Sequence, residues 1–237
     1  MNELANLSSW EQLRAPRLPR RLAQLMVGLV LYGASMAMMV RSQLGLDPWD
    51  VFHEGLSRWL PLSFGMIVIV VGLAVLLLWI PLHQWPGFGT IANAVVIGVA
   101  TDATLALLET PATLGGRSVL LLAGIVVNGF AGALYIGAQL GPGPRDGLMT
   151  GLVRRTGRSV RLVRTSLEVT VLASGFLMGG TVGIGTVLYA LMIGPLVQAF
   201  LPGTIVPLKR MARPGDAYDA WFSVHRPARP GAFTPSW

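Results

Sequence analysis

Long apolar runs alternate with short polar segments along the chain and predict six membrane-crossing helices. A helix needs about 20 mainly apolar residues to cross a hydrocarbon core of roughly 30 Å. The predicted spans cover residues 22–40, 64–82, 90–108, 118–139, 162–178 and 184–201. The third span contains Asp102, and the fifth contains Arg164 and Glu168 and is the weakest of the six. The pattern therefore predicts an all-α fold, a polytopic membrane helical bundle.

The chain also resembles itself at an offset of 96 residues, with no gap. Residues 22–102 and 118–198 share 22 identities in 81 aligned positions, and the matches include Pro, Asp, Arg, Ser and Thr. This predicts two membrane repeats, at 22–108 and 118–201. A basic segment at 1–21 precedes them, and a basic, Pro-rich tail at 202–237 is expected to be disordered. Because the first apolar run matches the fourth, we interpret it as a retained helix and not as a signal peptide.

Composition agrees with a membrane protein. Of 237 residues, 53% are hydrophobic and only 12% are charged, which is too few charges to cover a soluble domain of this size. The absence of cysteine excludes disulfides and thiolate metal sites. The net charge of +7 is interpreted as a topology signal, because no basic stripe interleaved with aromatic residues indicates nucleic-acid binding.

The basic residues predict the orientation of the spans. With six spans and a cytoplasmic N-terminus, 14 Lys and Arg residues fall on the cytoplasmic side and three on the other. This asymmetry predicts that both termini are cytoplasmic. Each repeat then has three spans, an odd number, so the two repeats are expected to be inverted relative to each other. Many secondary transporters have this architecture.

A Gly/Pro motif separates the first two spans of each repeat, at residues 44–50 and 140–146. In the first copy Asp47 is placed to cap a helix and Pro48 to begin it. That helix is predicted to run to about Leu60, some 20 Å, which is too short to cross. It either re-enters the membrane towards a central site or lies in the interface and only seals the bundle.

These motifs supply most of the predicted solute site. If both helices re-enter from opposite faces, their N-termini meet near the midplane and attract a polar or anionic solute. The predicted substrate-binding residues are Asp47, Trp49, Asp50, Asn93, Arg145 and Asp146.

Three ionisable residues inside the predicted spans are candidates for proton or ion coupling, because such groups are costly at membrane depth. Arg164 and Glu168 are spaced to pair on one helical face, and this pairing is also their simpler structural explanation. Asp102 either lines the cavity or reaches the lipid headgroups. Its counterpart at the offset of 96 is Gln198.

The sequence carries no catalytic constellation. His53, His83 and His225 are scattered without metal-ligand spacing, and no nucleophile or phosphate-loop motif occurs. We therefore predict no enzyme activity, catalytic residue, metal or cofactor.

Three groups of motifs resemble those of a known protein family. They are LGLDPWDVFH at 44–53, GPGPRDGLM at 141–149 with RTSLE at 164–168, and GIGT at 183–186 with IGP at 193–195. Together they resemble the bacterial YczE-like integral membrane proteins, relatives of the YitT group. The resemblance covers about residues 20–202 and implies a multi-spanning inner-membrane protein. It supplies no substrate and no catalytic residue.

The sequence thus favours a carrier of a small polar or anionic solute that works by alternating access. The alternative is a membrane scaffold or regulatory factor that transports nothing. The expected partners are the lipid bilayer and a small solute, without nucleic acid, and self-association into a homo-oligomer stays open.

Overall fold

The computed structural model describes residue 4 and residues 7–208, and every regular element in that part of the chain is an α-helix. In chain order the helices are α1 (Ser9–Arg14), α2 (Leu18–Ser42), α3 (Pro48–Ser57), α4 (Phe64–Trp79), α5 (Phe88–Leu107), α6 (Leu114–Gly137), α7 (Pro144–Thr156), α8 (Val160–Leu177) and α9 (Ile184–Thr204). The all-α prediction is confirmed. Most of the predicted tail, residues 209–237, lies outside the described residues.

Four of these helices, α2, α5, α6 and α9, are long and apolar enough to cross a membrane. The six predicted spans are thus supported only in part by helix length and hydropathy. Helix α4 is apolar but has 16 residues, and α8 has 18 residues that include three charged side chains. Both fall slightly short of a roughly 30 Å core at about 1.5 Å per residue.

The outward faces of the long helices are apolar, as a lipid environment requires. Leu107, Val119 and Leu191 are between 67% and 87% exposed on α5, α6 and α9. The inward faces pack around a core that includes Leu25, Leu29 and Ile125. The chain therefore folds as a helical membrane protein.

The helices of the second half repeat the helices of the first. Helices α2, α3, α4 and α5 begin at residues 18, 48, 64 and 88, and α6, α7, α8 and α9 begin at residues 114, 144, 160 and 184. Each start in the second half thus lies 96 residues after its counterpart. The breaks before the short helices match as well, because Gln43 and Gln139 both have a positive φ, of 57° and 56°.

Local sequence explains these shared boundaries. Ser63 and Ser159 cap α4 and α8, each accepting a hydrogen bond from a backbone N–H three residues later. Helix α3 ends at Ser57 and not near Leu60 as predicted, because Pro61 cannot continue the hydrogen-bond ladder and also restricts Leu60. The first long helix begins at Leu18, so the predicted N-terminal segment 1–21 ends inside it.

Contacts along α2 and α6 show that these two equivalent helices are antiparallel. Near the start of α2, the guanidinium of Arg21 donates to the carbonyl of Ala138, just after the end of α6. Further along α2, Ser35 accepts a hydrogen bond from the Asn128 amide. Met39, near the end of α2, approaches Gly124, which lies closer to the start of α6 than Asn128 does. Sequence numbers rise along one helix as they fall along the other, so the two helices point in opposite directions.

Within each half, the first and last long helices are parallel. Thr101 of α5 donates to the carbonyl of Gly33 in α2, and Arg41 donates to the carbonyl of Leu105 eight residues further along. In the second half, Tyr189 meets Asn128, and Thr204 meets Ala133. Helices α2 and α5 therefore point one way, whereas α6 and α9 point the other.

The two halves interlock by reciprocal contacts. The backbone N–H of Gly89, in α5, donates to the carbonyl of Leu140 at 2.8 Å. The N–H of Gly185, in α9, donates to the carbonyl of Leu44 at the same distance. Donors and acceptors of the two bonds are related by the offset of 96. Each half thus donates a hydrogen bond to the turn between the long and short helices of the other half.

Candidate functional site

The short helices α3 and α7 begin at the two Gly/Pro motifs, with Pro48 and Pro144 in the first turn. Asp47 caps α3, because its Oδ1 accepts the backbone N–H groups of Trp49 at 2.8 Å and Asp50 at 3.0 Å. Gly143 occupies the corresponding position before α7 and supplies no side-chain cap. The acidic residue at the positive end of α7 is instead Asp146, within its first turn.

A cavity of about 80 Å³, the inner cavity, lies beside the starts of both short helices. All six residues predicted to bind a solute line it: Asp47, Trp49, Asp50, Asn93, Arg145 and Asp146. They come from α5, α7, the start of α3 and the turn before it, so both halves of the chain contribute. The folded bundle thus brings together residues that are up to 99 positions apart in the sequence.

A larger cavity of about 300 Å³, the outer cavity, adjoins the first and shares one wall with it. The shared wall consists of Tyr32, Trp49, Tyr135, Arg145 and Asp146. The outer cavity is lined further by Asn128, Arg164, Glu168, Tyr189 and Gln198. Polar groups from six helices therefore surround a space that is large enough for a small solute.

Arg145 is the central cation of this shared wall. Its Nη2 donates to the hydroxyl of Tyr32, and its guanidinium carbon lies 5.8 Å from the centre of the Tyr32 ring. Among the described residues, no carboxylate lies within 4.0 Å of Arg145 to form an ion pair. The neighbouring Asp146 does not pair with Arg145; its Oδ2 accepts a hydrogen bond from the Tyr135 hydroxyl at 2.8 Å. Arg145 therefore keeps donors for an anionic ligand.

Asp50 faces the inner cavity beside His53, one helical turn further along α3. Oδ1 of Asp50 lies 3.1 Å from Nδ1 of His53, and the two residues are 1% and 6% exposed. Within the described part of the chain, Oδ2 of Asp50 is buried without a hydrogen-bond partner. A buried carboxyl oxygen without a partner is uncommon and calls for a functional explanation.

Burial sets the protonation of this cluster on the short helix. It raises the pKa of Asp50 to about 7, against the opposing charge of Arg145. Burial and then the charge of Asp50 raise the pKa of Asp47 to about 6. Burial lowers the pKa of His53 to about 4, so His53 is neutral at neutral pH and its contact with Asp50 is a hydrogen bond.

A second polar chain links the long helices at the outer cavity. The Asn128 amide donates to Ser35 at 2.8 Å, and its carbonyl oxygen accepts the Tyr189 hydroxyl at 3.1 Å. The three residues thereby act as interhelical hydrogen-bond partners. Asn128 and Tyr189 also line the outer cavity.

The residues predicted to couple an ion are not all at the cavities. Glu168 pairs with Arg164 at 2.9 Å on the wall of the outer cavity, and both side chains are at least 40% exposed. Asp102 lies outside both cavities. Its carboxylate accepts hydrogen bonds from the Ser63 hydroxyl at 2.5 Å and from the Gly65 N–H at 2.7 Å. It thereby satisfies the N-terminus of α4, a role that the sequence reasoning did not consider for it.

Sequence reasoning missed Tyr32, Tyr135 and His53 as cavity residues. One signal was present, because the offset of 96 aligns Tyr32 with Asn128 and Asn93 with Tyr189. Polar side chains at equivalent places in apolar helices indicate a shared interior. His53 was also three residues from Asp50, the spacing of one helical face. No group of three His, Cys, Asp or Glu side chains that could hold a metal ion occurs in the described residues.

Comparisons with known proteins agree with this membrane architecture. Residues 19–202 match the family of unknown function DUF6198. The chain is 41% identical over 177 residues to an uncharacterised protein of Haemophilus influenzae, covering 75% of this chain and 81% of the relative. It is 34% identical over 180 residues to the uncharacterised membrane protein YczE of Bacillus subtilis, covering 75% and 84%.

A further relative, the uncharacterised protein YyaS of Bacillus subtilis, is 23% identical over 180 residues, covering 74% of this chain and 90% of the relative. No solved structure matches the chain. The resemblance seen in the Gly/Pro motifs is confirmed, since the matched residues include both motifs and all the cavity residues. The chain therefore belongs to the YczE-like family of membrane proteins, a family of unknown function.

Proposed function

We propose that the protein is a secondary transporter of a small polar or anionic solute, built from two inverted repeats of three spans each. Three observations support the inverted arrangement. The helix starts repeat at an offset of 96, the equivalent helices α2 and α6 are antiparallel, and the contacts of Gly89 and Gly185 are reciprocal. Such halves can rock about a fixed central site and open it to either side in turn.

The proposed spans include α4 and α8 in addition to the four longer helices. Their mild shortfall in length is met by local thinning of the bilayer and by snorkelling of Arg161 and Arg164 on α8. With six spans, both termini lie in the cytoplasm of a bacterial cell. Without Arg21, which is buried, and Arg145, which lines the cavities, 12 of the 18 basic residues fall on that side and three on the other. A four-span arrangement would leave the apolar α4, with exposed Leu73 and Leu77, in water.

The observation that carries the proposed function is the buried polar cavity where the two halves meet. A bundle that only anchored or scaffolded other proteins would gain nothing from six polar groups around an interior space, because buried polar groups are costly when unpaired. Arg145, which has no ion pair among the described residues, provides guanidinium donors that bind an anion. Trp49, Tyr32 and Tyr135 provide an apolar wall for the rest of the solute.

Transport is tested with purified protein reconstituted into liposomes and a panel of labelled anions: acetate, lactate, succinate and inorganic phosphate. We expect saturable uptake of at least one panel anion, competed by the same unlabelled compound. The Asn128→Leu variant, which removes the polar link between helices, is expected to reduce that uptake. Uptake no faster than in protein-free liposomes for every panel anion would contradict a carrier of small anions.

Substitutions tested in cells distinguish the alternative of a scaffold or regulatory factor. That function predicts that substitutions in the cavity, such as Asp146→Asn, leave cellular activity intact. It also predicts that the exposed basic end of α7, at residues 154–158, is essential. The carrier predicts the opposite pattern, because its activity depends on the cavity.

A further inference from the structure

We propose, on the basis of the transport function proposed above, that Asp50 is the proton-binding carboxyl of the carrier. An anionic solute then binds at Arg145 together with a proton on Oδ2 of Asp50. The proton adds to Asp50 on one side of the membrane and leaves it on the other. The proposed activity is therefore the cotransport of a small anion with a proton.

Charge balance in the inner cavity supports this coupling. Three carboxyl groups, of Asp47, Asp50 and Asp146, line it with one guanidinium, of Arg145. An anion that bound to Arg145 would add further negative charge to a site that already holds an excess. Such an unbalanced charge in a poorly solvated interior is strongly unfavourable. A proton that enters with the anion cancels the added charge, so the pair can bind and cross where the anion alone cannot.

The hydrogen bonds single out Asp50 among the three carboxyl groups. Asp47 is engaged at the start of α3, where one oxygen accepts hydrogen bonds from two backbone N–H groups. Asp146 accepts the hydroxyl of Tyr135. Of the three carboxyl groups, only Asp50 has a buried oxygen without a hydrogen-bond partner in the described part of the chain, and Asp50 is 1% exposed. Protonation at this oxygen removes the cost of an incompletely solvated charge.

The surroundings of Asp50 come from several helices. The titratable or charged side chains near it are Asp47, His53 and Glu54 around α3, Arg145 and Asp146 on α7, Tyr32 on α2 and Tyr135 on α6. Helix α4 lines the inner cavity only with apolar residues, and α5 contributes the neutral Asn93. The charged residues Arg164 and Glu168 of α8 and Tyr189 of α9 line the outer cavity. Arg145 is thus the one cation that faces Asp50 from the described helices.

The other in-span carboxyl groups are less suited to carry the proton. Glu168 forms an ion pair with Arg164, and Asp102 accepts two hydrogen bonds at the start of α4. Both groups are thus occupied by contacts outside the inner cavity. Burial raises the pKa of Asp50 to about 7, within the range in which a cell can load and unload a proton.

The proton site is tested first without any solute, by infrared spectroscopy of the reconstituted protein during a pH titration. The wild type is expected to show a carboxylic acid carbonyl band that grows as the pH falls through about 7. The component with a midpoint near 7 should disappear in Asp50→Asn and persist in the control Asp102→Asn, and any band left in Asp50→Asn should belong to Asp47 and grow only as the pH falls through about 6 or lower. In Arg145→Gln, which keeps Asp50 and removes the facing cation, the midpoint should rise by about one pH unit or more. A component with a midpoint near 7 that survives in Asp50→Asn, or a midpoint that Arg145→Gln leaves unmoved, would overturn the assignment.

Coupling is tested in the liposomes with the panel anions. An inward proton gradient is expected to accelerate uptake of the carried anion by the wild type and to have no such effect on Asp50→Asn. Equal acceleration in both proteins, or none in the wild type, would overturn proton coupling. If no panel anion is carried, the proposed transport of small anions fails, whereas the infrared titration still decides the proton site.

Discussion

Replacing Arg145 with glutamine is expected to reduce uptake of the carried anion by about ten- to hundred-fold, the loss that accompanies removal of one or two charge-assisted hydrogen bonds. The reason is that Arg145 is the cation of the wall shared by both cavities and has no ion-pair partner among the described residues. Arg145→Lys keeps the charge without the planar fork and should lose less.

The matched control is Arg154→Gln on the same helix. Arg154 is exposed near the end of α7 and lines neither cavity, so its replacement should leave uptake within about two-fold of the wild type. Initial uptake rates are measured at equal amounts of monodisperse protein. Equal rates for Arg145→Gln and Arg154→Gln would show that Arg145 does not bind the solute.

Adding one methyl group at Gly98 is expected to destabilise the bundle by about 1–3 kcal/mol, the usual cost of overpacking. Gly98 lies where α5 crosses α4, and a Cβ atom there would collide with the backbone carbonyl of Gly65 and approach Cγ1 of Ile69 to 2.6 Å. The carbonyl cannot move without displacing α4. The start of α4 is also fixed to α5 by the hydrogen bond from the Gly65 N–H to Asp102.

The repeat supplies a control for this substitution at the equivalent position. Gly194 lies 96 residues after Gly98, also inside a helix, and a Cβ atom there meets no described atom within 4 Å. Gly194→Ala should therefore be neutral or stabilise by up to about 1 kcal/mol through helix propensity. Unfolding is followed by circular dichroism in detergent. If both variants shift the unfolding temperature alike, the close contact between α4 and α5 is not as described.

Sequence reasoning was most successful where local chemistry fixes the structure. The break, the capping aspartate and the proline that begin α3 are contiguous, so Asp47 and Pro48 could be assigned their roles directly. The repeat then extended the same boundaries to α7. Hydrophobic runs located the long helices because a lipid-facing helix must be apolar along most of its length.

The rest depends on long-range packing that no local pattern encodes. Arg21 was counted with the cytoplasmic basic segment, yet it is fully buried and donates to the carbonyls of Gln12, Ala138 and Gln139. Those carbonyls are left without helical partners at chain breaks, and only the folded bundle brings them to Arg21. Tyr135 reaches the cavity for the same kind of reason, because the antiparallel packing of α2 and α6 places its ring 6.1 Å from that of Tyr32.

The central claim is that the two halves are inverted in the membrane, and cysteine accessibility tests it most directly. The chain has no native cysteine, so Leu62→Cys and Arg158→Cys can each be labelled alone. These positions are equivalent, exposed, and immediately precede the caps of α4 and α8. On intact cells, an impermeant thiol reagent is expected to label Leu62→Cys and not Arg158→Cys, while a permeant reagent labels both. Labelling of both positions by the impermeant reagent would place them on the same side of the membrane and contradict the inverted repeat.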